Sequence, residues 1–172
     1  MSRLLLKGLF QRPATIPAPE PSDDLLRELA GRLDAAARRR LGRSLAIREV
    51  DAGSCNACEL EIQALNNAVY DLERFGIRFV ASPRHADVLL VTGPVTTNMR
   101  AALLRAWECT PDPKWVVAAG DCAAGCGIFK GSPALVDATG AVDSVVPVHL
   151  HIRGCPPRPI ELLEGLIALL EP

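Results

Sequence analysis

Short apolar runs alternate with segments of helical periodicity from residue 46 to the end of the chain, and this alternation constrains the fold most. The runs have the length and composition of buried strands, whereas the segments between them repeat apolar residues every three to four positions. Strand–helix alternation of this kind predicts an α/β fold in which helices cover a parallel sheet. The predicted strands cover residues 46–50, 77–80, 88–91, 115–119 and 145–150, and the predicted helices that alternate with them cover 58–73, 97–108 and 159–170.

The first residues of the chain differ from the rest. Apolar and basic residues are mixed at the start of segment 1–21, which then becomes a proline-rich linker over 13–21. The mixture predicts a short amphipathic segment that rests on a membrane surface or a membrane partner, and a frayed terminus is the alternative. A helix begins near Ser22 as an N-terminal helical extension. We therefore predict one α/β domain over 22–172, with its core at 46–172.

Composition narrows the possible functions. The chain has 172 residues, of which 49% are hydrophobic, so it can bury a core without disulfides. A net charge of −1 and an aromatic content of 4% predict no nucleic-acid partner. We find no secretory signal and no run of the ~18–20 apolar residues that a membrane span requires. The 6 cysteines are therefore expected in a reducing cytoplasm, where clustered thiols indicate metal or redox chemistry.

Four cysteines follow predicted strands. Cys55 and Cys58 come after the first strand, Cys122 after the fourth and Cys155 after the last. Because the carboxyl ends of parallel strands meet at one edge of the sheet, we expect these thiols to lie close together. Four thiolates suit either a [4Fe–4S] cluster or zinc.

Details of spacing favour the cluster. Structural zinc usually takes two close pairs of ligands, whereas here one Cys-x-x-Cys pair is joined by two widely separated cysteines. Cys155 precedes Pro156, and a Cys-Pro ending is common among cluster ligands. Nearby glycines allow backbone N–H groups to approach cluster sulfurs. A thioredoxin-like dithiol would explain only Cys55 and Cys58.

Several motifs together resemble a known family. They are Cys-Asn-Ala-Cys-Glu-Leu-Glu at 55–61, Glu-Arg-Phe-Gly-Ile at 73–77, Ser-Pro-Arg-His-Ala-Asp-Val-Leu-Leu at 82–90, Val-Thr-Gly-Pro-Val-Thr at 91–96, Gly-Asp-Cys at 120–122, Gly-Ile-Phe at 127–129 and Gly-Cys-Pro-Pro at 154–157. From about Arg43 onward, the chain resembles the small subunit of membrane-bound group 4 [NiFe] hydrogenases, including formate hydrogenlyase, and the B subunit of respiratory complex I. In the complex I protein the first two cysteines are adjacent. Two residues separate them here, as in the hydrogenases.

The resemblance implies a flavodoxin-like, doubly wound parallel sheet and one [4Fe–4S] cluster held by Cys55, Cys58, Cys122 and Cys155. It also implies an electron-transfer subunit of an oxidoreductase complex with no active site of its own. The implied partners are a [NiFe] large subunit, a ferredoxin-like iron–sulfur subunit and an integral membrane subunit. The implied location is peripheral, at the cytoplasmic face of the inner membrane. The alternatives are the B subunit of a complex I-type NADH-quinone oxidoreductase and a zinc-stabilised interaction module.

Other residues near these motifs are candidates for supporting roles. The resemblance suggests that Glu61 assists proton movement and that Arg84 and His85 tune the cluster, and solvated side chains are the alternative. Glu59 is predicted to be a solvated carboxylate that favours the helix dipole. Cys126 stands where members of the family usually carry glycine, and we predict that it is not a ligand.

Overall fold

The computed structural model of the chain describes residues 23–171. A 5-stranded parallel sheet has the order β2-β1-β3-β4-β5, which is the order of flavodoxin-like doubly wound sheets. The predicted fold class is therefore confirmed. The strands are β1 (Ala46–Asp51), β2 (Arg78–Phe79), β3 (Val88–Thr92), β4 (Trp115–Ala119) and β5 (Leu150–Ile152).

Helices cover both faces of the sheet. They are α1 (Asp23–Leu41), α2 (Ala57–Ala64), α3 (Arg100–Cys109) and α4 (Pro159–Leu170). Buried residues of α1, α2 and α4 share one core cluster with the sheet, and Leu103 of α3 belongs to the cluster on the other face. Short 3₁₀ helices cover Leu72–Phe75, Pro83–His85 and Val142–Ser144. The prediction for 1–21 lies outside the described residues.

The two central strands divide the core between these faces. Every residue of β3 and β4 is buried. Leu90 and Val117 face the cluster that contains α1 and α4, whereas Leu89 and Val116 face the cluster that contains α3. Burial on both faces explains why these strands are continuous apolar runs without polar alternation. Both runs were predicted on that basis, at 88–91 and 115–119.

The helix predicted over 58–73 is shorter than expected. Helix α2 ends at Ala64. The side-chain oxygen of Asn67 accepts hydrogen bonds from the N–H groups of Val69 (2.8 Å) and Tyr70 (3.0 Å). An asparagine that binds backbone donors two and three residues ahead competes with helical bonding and stabilises a turn. The apolar periodicity therefore continues past the point where the helix stops.

The last strand was also predicted in the wrong place. The prediction covered 145–150, whereas β5 is Leu150–Ile152. A 3₁₀ helix occupies Val142–Ser144, and Val146 packs into the core on the α3 face. Pro147 has no N–H to donate to a neighbouring strand. The chain reaches the edge of the sheet at His149, whose N–H donates to the Val116 carbonyl at 2.9 Å.

Candidate metal centre

The structure places the four predicted ligands in three loops at the carboxyl edge of the sheet. Cys55 and Cys58 follow β1, with Cys58 in the first turn of α2, while Cys122 follows β4 and Cys155 follows β5. These thiols are free; Cys55 and Cys155 are exposed, and Cys58 and Cys122 are half-buried. The strand order makes this arrangement possible. Strands β1 and β4 lie on either side of β3, and β5 pairs with β4.

Gly120 is the point where the three loops approach one another. A Cβ atom placed on Gly120 would lie 2.7 Å from the Cys58 sulfur and 3.5 Å from the Gly154 carbonyl oxygen. Its N–H donates to the Ile152 carbonyl at 2.8 Å. Its φ of +93° also disfavours any residue with a side chain. Glycine is therefore required here both by backbone conformation and by the nearby thiol.

The thiols interact electrostatically. Burial raises the pKa of Cys58 to about 12, and the neighbouring groups Glu59, Cys55, Cys122 and Cys155 contribute to this rise in that order. Burial is also the largest cause of the raised pKa of Cys122, and the nearby Cys155 is the second largest. Metal ions deprotonate the thiols that coordinate them, so a cation among these groups would reverse the rise. Thiolates at these positions would repel one another, and a bound cation would offset that repulsion.

The loop after β4 wraps around the Cys122 sulfur. The N–H groups of Ile128 and Phe129 donate to this sulfur and lower its pKa, opposing the effect of burial. A Cβ atom on Gly127 would overlap the same sulfur. Backbone donors aimed at a ligand sulfur are typical of iron–sulfur sites, where they stabilise negative charge. The all-thiol donor set and this cradle fit a [4Fe–4S] cluster.

The loop before α2 is held by its own side chains. Asp51 Oδ1 accepts hydrogen bonds from the N–H groups of Gly53 and Ser54, each at 2.8 Å. Ser54 Oγ accepts one from the N–H of Asn56 at 3.1 Å. These local bonds fix the backbone on both sides of Cys55. The thiol is therefore presented by an ordered turn.

Within residues 23–171, no three His, Cys, Asp or Glu side chains form a group that could hold a single metal ion. The assignment of Cys55, Cys58, Cys122 and Cys155 as ligands therefore remains a prediction.

The supporting residues predicted from the sequence lie in different places. Glu61 is half-buried in α2, one turn after Cys58. Arg84 and His85 lie in the 3₁₀ helix that leads into the amino end of β3, so the structure does not bring them to the cysteine loops. Cys126 is exposed, and its sulfur lies 3.3 Å from the carbonyl oxygen of Asp121. The proposed roles of Glu61, Arg84 and His85 remain predictions.

The prediction of a solvated Glu59 is wrong. This residue is 6% exposed, and neither carboxylate oxygen has a hydrogen-bond partner among the described residues. Glu59 shares a helix face with the buried Ile62 three residues later, a signal that the sequence already contained. Burial raises the pKa of Glu49 in β1, and Glu59 is the next largest cause. Glu59 therefore interacts with both the Glu49 carboxylate and the Cys58 thiol.

None of the helices between residues 23 and 171 is long and apolar enough to cross a membrane.

Sequence comparisons give relatives in several complexes. The chain is 46% identical over 131 residues to the probable membrane-bound hydrogenase subunit mbhJ of Pyrococcus furiosus, covering 76% of this chain and 77% of the relative. It is 43% identical over 155 residues to formate hydrogenlyase subunit 7 of Escherichia coli, covering 90% of this chain and 58% of that one. Identity to the B 1 subunit of NADH-quinone oxidoreductase from Herpetosiphon aurantiacus is 44% over 115 residues, covering 66% and 62%.

A solved structure has the same fold. One chain of the membrane-bound sulfane sulfur reductase, an archaeal respiratory membrane complex, superposes with a TM-score of 0.65 at 36% identity, covering 81% of this chain and 74% of that chain. The family described as NADH ubiquinone oxidoreductase, 20 Kd subunit, matches residues 55–169, a stretch that includes all four predicted ligands. The chain therefore belongs to this family, whose relatives above are subunits of oxidoreductase complexes.

Proposed function

We propose that this chain is an electron-transfer subunit of a membrane-associated [NiFe] hydrogenase of the formate hydrogenlyase or energy-converting type. One [4Fe–4S] cluster is held by four thiolates, and when bound it accepts and donates one electron. The four ligands are Cys55, Cys58, Cys122 and Cys155. The observation that supports this most directly is the approach of three loops at Gly120, where the Cys58 sulfur would lie 2.7 Å from an added Cβ atom. Chain segments far apart in sequence thereby bring their thiols to one edge of the sheet.

The proposed partners follow from the relatives and the motif spacing. They are a nickel–iron large subunit, a ferredoxin-like iron–sulfur subunit and an integral membrane subunit, and the proposed location is the cytoplasmic face of the inner membrane. Two residues separate Cys55 from Cys58, as in the hydrogenases. The match to formate hydrogenlyase subunit 7 covers 90% of this chain, whereas the match to the NADH-quinone oxidoreductase protein covers 66%.

A quinone-linked role of the complex I type is the second candidate. Identity to the NADH-quinone oxidoreductase protein is 44%, which is similar to the 43% found for the formate hydrogenlyase protein. Overall identity therefore does not separate the two functions. A partner assay does: affinity purification from membranes of the source organism, followed by metal analysis, should recover a nickel-containing large subunit. Recovery of a quinone-reducing complex without nickel would support the complex I-type role.

The cofactor proposal is tested on the full chain purified without oxygen. We expect iron and sulfide in the ratio of a [4Fe–4S] cluster and an EPR signal after reduction. Cys58→Ser and Cys155→Ser should each prevent stable cluster assembly, because each removes one of the four thiolates. Cys126→Gly is the matched control, since it removes an exposed thiol four residues after Cys122 and should keep full iron content. A colourless protein with stoichiometric zinc would contradict the proposal and support a zinc-stabilised interaction module.

A further inference from the structure

Asp121 joins the two loops that each carry a single predicted ligand. Its N–H donates to the carbonyl of Gly154 at 2.8 Å, and the Gly154 N–H donates back to Asp121 Oδ1 at 3.3 Å. Arg153 Nε forms an ion pair with the same Oδ1 at 3.3 Å. Asp121 immediately precedes Cys122, and Arg153 lies two residues before Cys155. The two charges therefore bridge the backbone segments that position both thiols.

Asp121 also anchors the rest of its own loop. Its carbonyl oxygen accepts the Cys126 N–H at 3.0 Å, and the Cys126 sulfur lies 3.3 Å from the same oxygen. The backbone that follows Cys122 is thus folded back onto the residue that precedes it. Consequently, one residue connects three backbone segments at this end of the site.

The exposure of this ion pair indicates that global stability is not its main effect. The side chains of Arg153 and Asp121 are 59% and 32% exposed. Exposed ion pairs contribute little to folding, because water screens them and ordering two side chains costs entropy. Their charges, however, lie beside two predicted ligands. Coulombic interaction with a charged centre falls off with distance, so neighbours of a ligand influence that centre most.

We propose that the Asp121–Arg153 pair positions the loops of Cys122 and Cys155 and sets the reduction potential of the cluster, an inference that rests on the proposed function. Reduction adds one electron and therefore one negative charge to the site. The Asp121 carboxylate opposes this added charge, and the Arg153 guanidinium favours it. While the two are paired, their effects on the potential partly cancel.

This arrangement predicts shifts of opposite sign. Asp121→Asn keeps an oxygen that can accept the Gly154 N–H but removes the negative charge, so the reduction potential should rise. Arg153→Gln removes the positive charge and leaves the carboxylate, so the potential should fall. The double variant should lie between the two single variants. A purely structural role would not give opposite signs, since a disturbed loop has no reason to respond to the sign of the removed charge.

The test is an EPR-monitored redox titration of the full chain carrying its cluster, with iron content measured in every sample. Arg32→Gln and Glu171→Gln are the matched controls: this pair joins at 3.0 Å with side chains 50% and 34% exposed, and it connects α1 to the residue that follows α4, far along the chain from the cysteine loops. We expect no shift in the controls.

Two failures remain distinguishable. If the wild-type chain binds no cluster, the proposed function fails. If the wild-type chain and both Asp121 and Arg153 variants hold the cluster at the same potential, or if both variants shift it in the same direction, the inference about the pair fails while the proposed function stands. Loss of cluster from Asp121→Asn with an unchanged potential in Arg153→Gln would likewise reject a potential-setting pair.

Discussion

Buried carboxylates at the two edges of the sheet differ in their hydrogen bonding. At the amino edge, Asp87 is 2% exposed just before β3, and its Oδ2 accepts hydrogen bonds from Arg43 Nη1 and the Ala46 N–H, each at 2.9 Å. At the carboxyl edge, Glu59 is 6% exposed, and its oxygens have no hydrogen-bond partner within 23–171. Beside Glu59, Cys58 has a raised pKa because burial and like charges oppose its ionisation.

The difference is that the chain supplies hydrogen-bond partners for the buried Asp87 and none within 23–171 for the buried Glu59. Burying a carboxylate is costly unless the protein supplies partners, and the amino edge supplies them from its own chain. The carboxyl edge instead gathers acids and thiols whose ionised forms would repel one another. Sites that perturb the pKa of several adjacent groups are often functional, because burial and neighbouring charges tune those groups for catalysis or ligand binding. Four measurements can break or sharpen this comparison.

The largest stability effect is expected at the amino edge. Asp87→Ala removes the acceptor of both Arg43 and the Ala46 N–H, leaving a backbone donor without its partner. We expect the free energy of unfolding to fall by about 2–3 kcal/mol, toward the low end for buried pairs because the Arg43 side chain is 53% exposed. Urea denaturation measures this loss. A loss below about 1 kcal/mol would show that the amino edge does not depend on this network.

The next effect separates backbone strain from crowding at the thiols. Gly120→Ala should lower stability by about 1–2 kcal/mol, because alanine at positive φ is strained, and should also displace Cys58 and reduce iron incorporation. Gly131→Ala is the matched control: its φ of +84° is similar, but nothing lies within 4 Å of an added Cβ atom. The control should lose stability alone. Equal iron content in the two variants would argue against Gly120 as the meeting point of the ligand loops.

A smaller effect concerns pH. Burial, followed by the charges of Glu59 and Asp51, raises the pKa of Glu49 from 4.5. The folded state therefore holds this proton more tightly than the unfolded state, so the contribution of Glu49 to stability is present below pH 4.5 and is lost as pH rises through the raised pKa. In the iron-free chain, Glu49→Gln should remove this loss of unfolding free energy with rising pH. Glu59→Gln should move the loss to lower pH, because it removes a charge that raises the pKa of Glu49.

Urea denaturation across pH 4.5 to neutrality measures that profile in the three proteins. Asp137 does not interfere, since hydrogen bonds led by that of the Gly140 N–H lower its pKa from 3.8 to about 2, and its contribution is lost only as pH falls through this lower range. If unfolding free energy depends on pH identically in wild type and Glu49→Gln, Glu49 does not have the raised pKa that burial and Glu59 should give it.

The smallest effect is expected for an exposed ion pair that, within residues 23–171, shares no hydrogen-bond partner with Asp87 or Glu59. Arg32→Ala removes the pair with Glu171 at 3.0 Å, where the two side chains are 50% and 34% exposed. We expect a change below about 0.5 kcal/mol in the free energy of unfolding. A loss comparable with that of Asp87→Ala would mean that burial does not distinguish the charge networks of this protein.

Local patterns predicted much of the architecture. The strand at 115–119 and the helix at 159–170 were predicted with the bounds that the structure has, because a continuous apolar run and a proline in the first helical turn are strong signals. The helix after Cys58 was overextended because periodicity alone does not register the backbone bonds that Asn67 accepts. The last strand was misplaced because apolar residues at 145–148 serve the core without pairing in the sheet.

The site was predicted in part. Cysteines after strands indicated the edge of the sheet, and the structure places all four in its carboxyl-edge loops. The burial of Glu59 was missed, although its spacing from Ile62 could have revealed it. The pairing of Asp121 with Arg153 carried no local signal, since residues far apart in sequence meet only when β4 and β5 become neighbours.

By itself, the sequence determined which loops carry the thiols, because strand–helix alternation directs every chain segment after a parallel strand to the same edge. The tertiary structure alone decided which groups touch: that Gly120 lies against the Cys58 sulfur, that Glu59 is buried without a hydrogen-bond partner in the described chain, and that Asp121 binds the backbone of the β5 loop. The physical reason is that periodicity specifies the direction of a segment. Distances between segments depend on strand order and on the packing of helices against the sheet.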